Sequence, residues 1–167
     1  MMHWPAMRKL QDPTPRGMKR IAKFWLSPVL NRIGPKRWKV RAQVDGQWRT
    51  FNVKMSGERM KLLGRTQKCA CCGVEGKFFW LESSGARPPH FNLYGVFKSG
   101  RAVLMTMDHI TPKSKGGKTE ESNLQLLCSR CNEVKKDHDM TLEELRAKVL
   151  GRVVELADTQ DLKSCGR

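Results

Sequence analysis

From Arg37 to Met55 apolar and polar residues alternate on both sides of Asp45-Gly46. A period of two is what a half-buried strand requires, and Asp-Gly between two such runs predicts a β-hairpin. Trp38, Val40, Ala42 and Val44 share one face of its first strand. Ser56 then stands where a helix N-cap belongs, before "GERMKLLGR". Within 74–100, "GKFFWLE" and "HFNLYGVFKSGR" read as short strands joined by a Gly/Pro-rich loop around Pro88-Pro89. "AVLMTMDHI" (102–110) is a further strand, "TPKSKGGKTEES" a long polar loop and "LQLLC" a second short strand. A helix begins near Ser129 and runs through "RCNEVKKD". Thr141, with Glu144 three residues on, forms a capping box that opens "TLEELRAKVL". Residues 1–35 show no sustained period and carry five prolines among many cations. They predict a flexible basic arm, with a short helix near 17–26. The expectation is an α+β chain of strands and few helices, without internal repeats.

Charge changes that picture. Residues 1–68 hold 17 basic and 3 acidic side chains, a balance of +14, whereas residues 69–150 hold 12 and 10. A strong cation is thus joined to a nearly neutral module. The usual acceptor of such charge is a polyanion, whose phosphates release condensed counterions when neutralised. The Trp and Phe residues among these cations are expected to fill a small core rather than to stack on bases. No run of about 18 apolar residues occurs, so no membrane-spanning helix is expected. "IAKFWLSPVL" (21–30) contains Lys23 and Pro28 and does not read as a signal peptide. A cytoplasmic location follows, and there six cysteines are metal ligands more often than disulfides.

Cys69 and Cys72 form one C-x-x-C and Cys128 and Cys131 the other, with 55 residues between the pairs. Four soft thiolates suit tetrahedral Zn²⁺ and leave no open position for water, so the predicted zinc is structural. The run "CACC" offers a second choice of partner, but the spacing and the following Gly73 favour Cys69 with Cys72, leaving Cys71 free or buried. Such a site has no use for Asp108, His109, Asn123 or Asn132. An imidazole at a strand end can take a proton from water near neutral pH. A carboxylate and a carboxamide oxygen are hard donors, suited to Mg²⁺ or Mn²⁺. Asn132 directly follows Cys131, on the first turn of the helix that the zinc anchors.

"DHITPKSKGG", "SNLQLLC" and "CNEVK" together resemble the HNH endonucleases, in the variant whose last signature position is Asn. The resemblance spans roughly residues 67–138 and extends, through "CGVEGKFF" and "HFNLYGVFKSG", to a bacteriophage-associated branch. It implies a ββα-metal finger on a four-cysteine zinc site, acting on DNA with one catalytic divalent ion. By that match His109 is the general base, Asp108 and Asn132 hold the catalytic ion, and Asn123 braces the loop that aims His109. Lys135 falls on a basic helix position near phosphate. Lys113, Lys115, Lys118, Arg37, Lys39 and Arg41 are the other candidate nucleic-acid contacts. The departures are Cys71 and a long insertion at 73–100, where His90 reads as a surface residue.

The expected organisation is a basic arm (1–35), a nucleic-acid-contacting hairpin and short helix (36–66), the nuclease domain (67–150) and a tail (151–167). The tail, "GRVVELADTQDLKSCGR", breaks the charge pattern and resembles the peptide read from a leucine transfer-RNA gene; the alternative is an ordinary helical tail. On that reading Cys165 has no metal role. The competing function is a zinc-ribbon module that binds nucleic acid without cutting it. Nicking against double-strand cleavage, sequence preference and oligomeric state are left open by the sequence.

Overall fold

The computed structural model describes residues 17–31, 37–55, 57–85 and 88–152. Most of the expected arm, Ser56 and residues 153–167 of the tail lie outside them. The elements in chain order are β1 (Lys19–Trp25), α1 (Leu26–Leu30), β2 (Arg37–Val44), β3 (Gln47–Lys54), α2 (Gly57–Arg65), β4 (Gly76–Ser83), β5 (His90–Val96), β6 (Ala102–His109), β7 (Leu124–Cys128) and α3 (Ser129–Lys135). Residues 142–152 are also helical and are called α4 below.

Five strands form one antiparallel sheet in the order β1-β4-β5-β6-β7, and β2 and β3 form a separate hairpin. The hairpin turns where the alternation breaks. Asp45 and Gly46 both have positive φ, 51° and 78°, as a two-residue turn matched to strand twist requires. The α+β expectation is met, and β6, an extended loop, β7 and α3 make a ββα unit.

One expectation is corrected. Lys19–Trp25, inside the stretch read as flexible arm with a helix near 17–26, is an edge strand paired to β4 from Lys19↔Ser83 to Trp25↔Phe78. Its register shifts between Arg20 and Ala22, which breaks the two-residue period that would have marked it as a strand.

One sheet face packs Phe79, Leu81, Phe91, Leu93, Val103 and Met105 against Trp38 and Val40 of the hairpin and Leu62 and Leu63 of α2. Phe24 and Phe79 both meet the Phe91 ring edge-on. The other face carries Phe78 stacked on Tyr94, and beside them a polar knot. Glu82, fully buried, accepts hydrogen bonds from the Tyr94 hydroxyl (2.9 Å) and the Asn92 amide and pairs with Arg20. Arg59 of α2 donates to Asn92 Oδ1 at 3.0 Å. Burial and the bond to Glu82 push the Tyr94 hydroxyl well above the ordinary tyrosine range. This knot ties β1 and α2 to the middle of the sheet.

The loop from 110 to 123 turns on two glycines. Gly116 has φ 84°, and Gly117 lies so close to the chain that a Cβ there would sit 1.9 Å from the Thr111 carbonyl oxygen. Asn123 closes the loop. Its Oδ1 accepts from Thr111 N (2.8 Å), and its Nδ2 donates to the carbonyls of Thr111 (3.1 Å) and Lys118 (2.9 Å).

Two stability changes are expected, both read from urea midpoints. Glu82→Ala removes a buried carboxylate that accepts from Tyr94 and Asn92 and pairs with Arg20, and should cost about 3 kcal/mol, the scale of breaking a buried pair; an unchanged midpoint contradicts that role. Gly117→Ala must displace backbone rather than a side-chain tip and should cost about 1–3 kcal/mol, as overpacking does. Asn123→Asp, which keeps the shape but loses the amide donor, should weaken the same loop.

Candidate active site and metal centre

Residues 68–75 fold back on themselves as a knuckle. Lys68 bridges Glu75, Cys69 N donates to Val74 O (2.9 Å), and Gly73, at φ 73°, donates to Cys69 O (2.9 Å). A further bond, Ala70 N to Leu126 O at 2.8 Å, docks the knuckle on β7. That brings Cys69 and Cys72 to Cys128, the last residue of β7, and to Cys131 in the first turn of α3. The four sulfurs lie within 4.8 Å of one another, and the backbone N–H of Cys128 points at Cys69 Sγ (3.3 Å). Cys71 is buried outside the set, and desolvation pushes its thiol up. The ambiguity in "CACC" is therefore resolved as the spacing rule expects.

The thiols compete for charge. Hydrogen bonds from Cys128 and Cys131 hold Cys69 far below the ordinary thiol range, while Cys131, bonded to Cys128 and Cys69, is pushed far above it. Four thiolates packed this tightly cannot all ionise without a cation among them. The donor set thus fits a metal ion with a preference for soft, tetrahedral ligation. Arg146 of α4 braces the knuckle from outside, donating to the carbonyls of Cys71 (3.1 Å) and Ala70 (3.0 Å). The α4 helix itself starts at the expected capping box: Thr141 N donates to Glu144 Oε2 (2.7 Å), and Glu144 N to Thr141 Oγ1 (3.2 Å).

Asp108 and His109 end β6, where strand alternation sends them different ways. Asp108 is buried opposite Gln125, whose Nε2 donates to Asp108 Oδ2 at 2.9 Å. His109 is half-buried, and its Nε2 lies 3.0 Å from Thr119 Oγ1. Lys135 is 1 % exposed; its ammonium reaches Asp108 Oδ2 (3.2 Å) and donates to the His109 carbonyl (2.8 Å). This overturns the expectation of Lys135 at a phosphate. A fully buried ammonium with two oxygen partners cannot also contact nucleic acid. Asn132, one helical turn before Lys135, is half-buried, and its carboxamide makes no hydrogen bond among the described residues.

The other candidate nucleic-acid contacts lie at the surface or open a strand. Lys113, Lys115 and Lys118 are exposed on the 110–123 loop, and Lys39 and Arg41 are exposed on β2; Arg37 opens that strand. His90 is half-buried, 3.4 Å from Asn92 on the polar knot, rather than on the surface.

Three residues escaped the sequence reading. Gln125 could have been found, as the one polar residue inside "LQLLC". Thr119 and Arg146 carried no local signal, because their partners lie 10 and 75 positions away.

Among the described residues no helix is long and apolar enough to cross a membrane. No curated protein and no solved structure matches the chain. The family model described as HNH endonuclease matches residues 96–138, a span that runs from the end of β5 through the 110–123 loop and β7 to just past α3. It contains Asp108, His109, Asn123, Cys128, Cys131 and Asn132, and it is over this segment that the chain is similar to the HNH endonucleases.

Proposed function

We propose that the chain is a metal-dependent endonuclease that hydrolyses DNA phosphodiester bonds, with His109 as general base. The observation that supports this best is the meeting of Asp108 and His109 at one strand end with a loop braced by Asn123 and a helix that presents Asn132. A module that only binds nucleic acid gains nothing from that arrangement.

His109 takes a proton from a water, whose oxygen attacks phosphorus in line; the bond to the 3′ oxygen breaks and that oxygen is protonated. The ring is half-exposed, so water and phosphate can reach it, and the Thr119 hydroxyl on Nε2 restrains its rotation. Asp108 and Asn132 are the candidate holders of a Mg²⁺ or Mn²⁺ ion, which when bound supplies charge stabilisation at the scissile phosphate. Lys135 serves both residues of β6, holding the Asp108 carboxylate by charge and the His109 backbone by its carbonyl. The Cys69, Cys72, Cys128 and Cys131 set would hold a structural Zn²⁺, and the shared junction of β7 and α3 keeps Asn132 at a constant place relative to β7. The products carry 5′-phosphate and 3′-hydroxyl ends.

A supercoiled-plasmid assay with Mg²⁺, Mn²⁺ or EDTA tests the reading; plasmid left intact under every metal would favour the non-catalytic zinc module. In that assay His109→Ala should lower the rate roughly 10²–10⁴-fold without altering the fold, as loss of a general base does. Asp108→Ala and Asn132→Ala should raise the divalent-ion concentration needed. Lys135→Met separates a buried role from a phosphate contact. It leaves Asp108 as an unpaired buried charge and should cost about 3 kcal/mol in urea unfolding, whereas loss of a surface phosphate contact would leave the midpoint in place.

A further inference from the structure

The hairpin has two faces of opposite character. Trp38, Val40 and Ala42 of β2 and Val53 of β3 are buried, and Trp38, Val40 and Val53 fasten its base to the sheet through the common core. The opposite face carries Lys39 and Arg41 on β2 with Trp48, Thr50, Asn52 and Lys54 on β3, every one exposed. The register places Lys39 across from Asn52, and Arg41 across from Thr50. Among the described residues this face holds no Asp or Glu. Trp48 is 64 % exposed, and the Arg41 guanidinium lies 5.5 Å from its ring centroid. Towards the tip, Gln47 to Thr50 are exposed on both faces, so the ribbon projects from the body.

We propose, taking DNA as the partner from the functional reading above, that this face enters the major groove of duplex DNA and reads base edges. The charge is complementary to phosphate, and a two-stranded ribbon is one of the two shapes that a groove about 12 Å wide admits. The side chains match the acceptors and donors found there: an arginine fork suits guanine, and an asparagine amide suits adenine. The guanidinium stacked on Trp48 is held ready for such a contact, with less freedom to lose on binding. Lys39 and Lys54 flank these groups and serve the backbone, which positions the protein without reading sequence.

The reading is joined to the candidate active site through α2, which follows the hairpin after two residues. Arg65, its last residue, donates to the Glu121 carbonyl (3.2 Å) and pairs with the Glu121 carboxylate (3.3 Å) in the loop that Asn123 closes. Met60, Leu62 and Leu63 of α2 are buried in the common core. The bases read by the hairpin therefore lie at a constant offset from the phosphate presented to His109.

The test uses the full chain without added Mg²⁺ or Mn²⁺, so binding is read independently of cleavage. Fluorescence anisotropy is measured on a duplex and on its single strand at several salt concentrations, and bound duplexes are selected from a library with a randomised centre. Lys39→Ala with Lys54→Ala should reduce the log–log salt slope on duplex by about 1.8, at about 0.9 per phosphate contact. Arg41→Ala and Asn52→Ala should erase a base preference that the parent protein shows in the selection. The exposed positions should leave the urea midpoint unchanged. Unchanged duplex affinity and slope overturn the proposal, as does a parent protein that selects no bases. A Trp48→Ala loss confined to single strands also overturns it, by making the face a stacking platform. A chain that cleaves plasmid while its hairpin variants bind normally refutes this inference alone; one that binds through the hairpin and never cleaves refutes the nuclease reading alone.

Discussion

The packing of four thiols at the junction of β7 and α3 is the constraint on which the candidate site depends. Cys128 ends the strand and Cys131 stands in the first helical turn, so their meeting with Cys69 and Cys72 sets the direction in which α3 leaves the sheet. That direction decides what Asn132 and Lys135 can reach. Lys135 in turn holds the last two residues of β6 together, through the Asp108 carboxylate and the His109 carbonyl. The knuckle is held from two sides, by β7 through Ala70 and by α4 through Arg146. A short helix of seven residues gains little stability from its own hydrogen bonds. It is the sulfur cluster and the buried ammonium that keep it in place.

Much of this was legible because the signals were local. The hairpin announced itself by alternation around Asp45-Gly46, α4 by Thr141 and Glu144, and the knuckle by a two-residue gap followed by Gly73. The loop that carries the site was visible as Gly116-Gly117 with a downstream Asn, and the structure supplies the reason: a backbone approach that excludes a Cβ, closed by one carboxamide with three bonds.

What was not legible lay in partnerships across the chain. β1 was hidden because a register shift spoils its alternation and because cations and prolines surround it; its strand character comes from β4, some 60 residues away. Lys135 reads as a surface cation in any window of sequence, since nothing nearby discloses that Asp108 and the His109 carbonyl await it 27 and 26 positions upstream. The polar knot left a faint trace, as Glu82 and Asn92 interrupt otherwise apolar strands, yet only the sheet register puts them beside Tyr94 and Arg20. The charge asymmetry was plain from the start. Its division into a buried face and an exposed cationic face at the hairpin needed the fold.

The separation of the cysteine pairs governs when the site can exist during synthesis. Cys72 leaves the ribosome 56 residues ahead of Cys128, and at synthesis rates of about 5–20 residues per second that interval is roughly 3–11 s. Throughout it the first pair is an incomplete ligand set, while β4 and β5 emerge within it and can pair with β1 as consecutive neighbours in the sheet. Asn132 and Lys135 emerge immediately after the second pair. The growing chain can therefore assemble its cationic hairpin and most of its sheet well before the four-cysteine set and the candidate site beside it are complete.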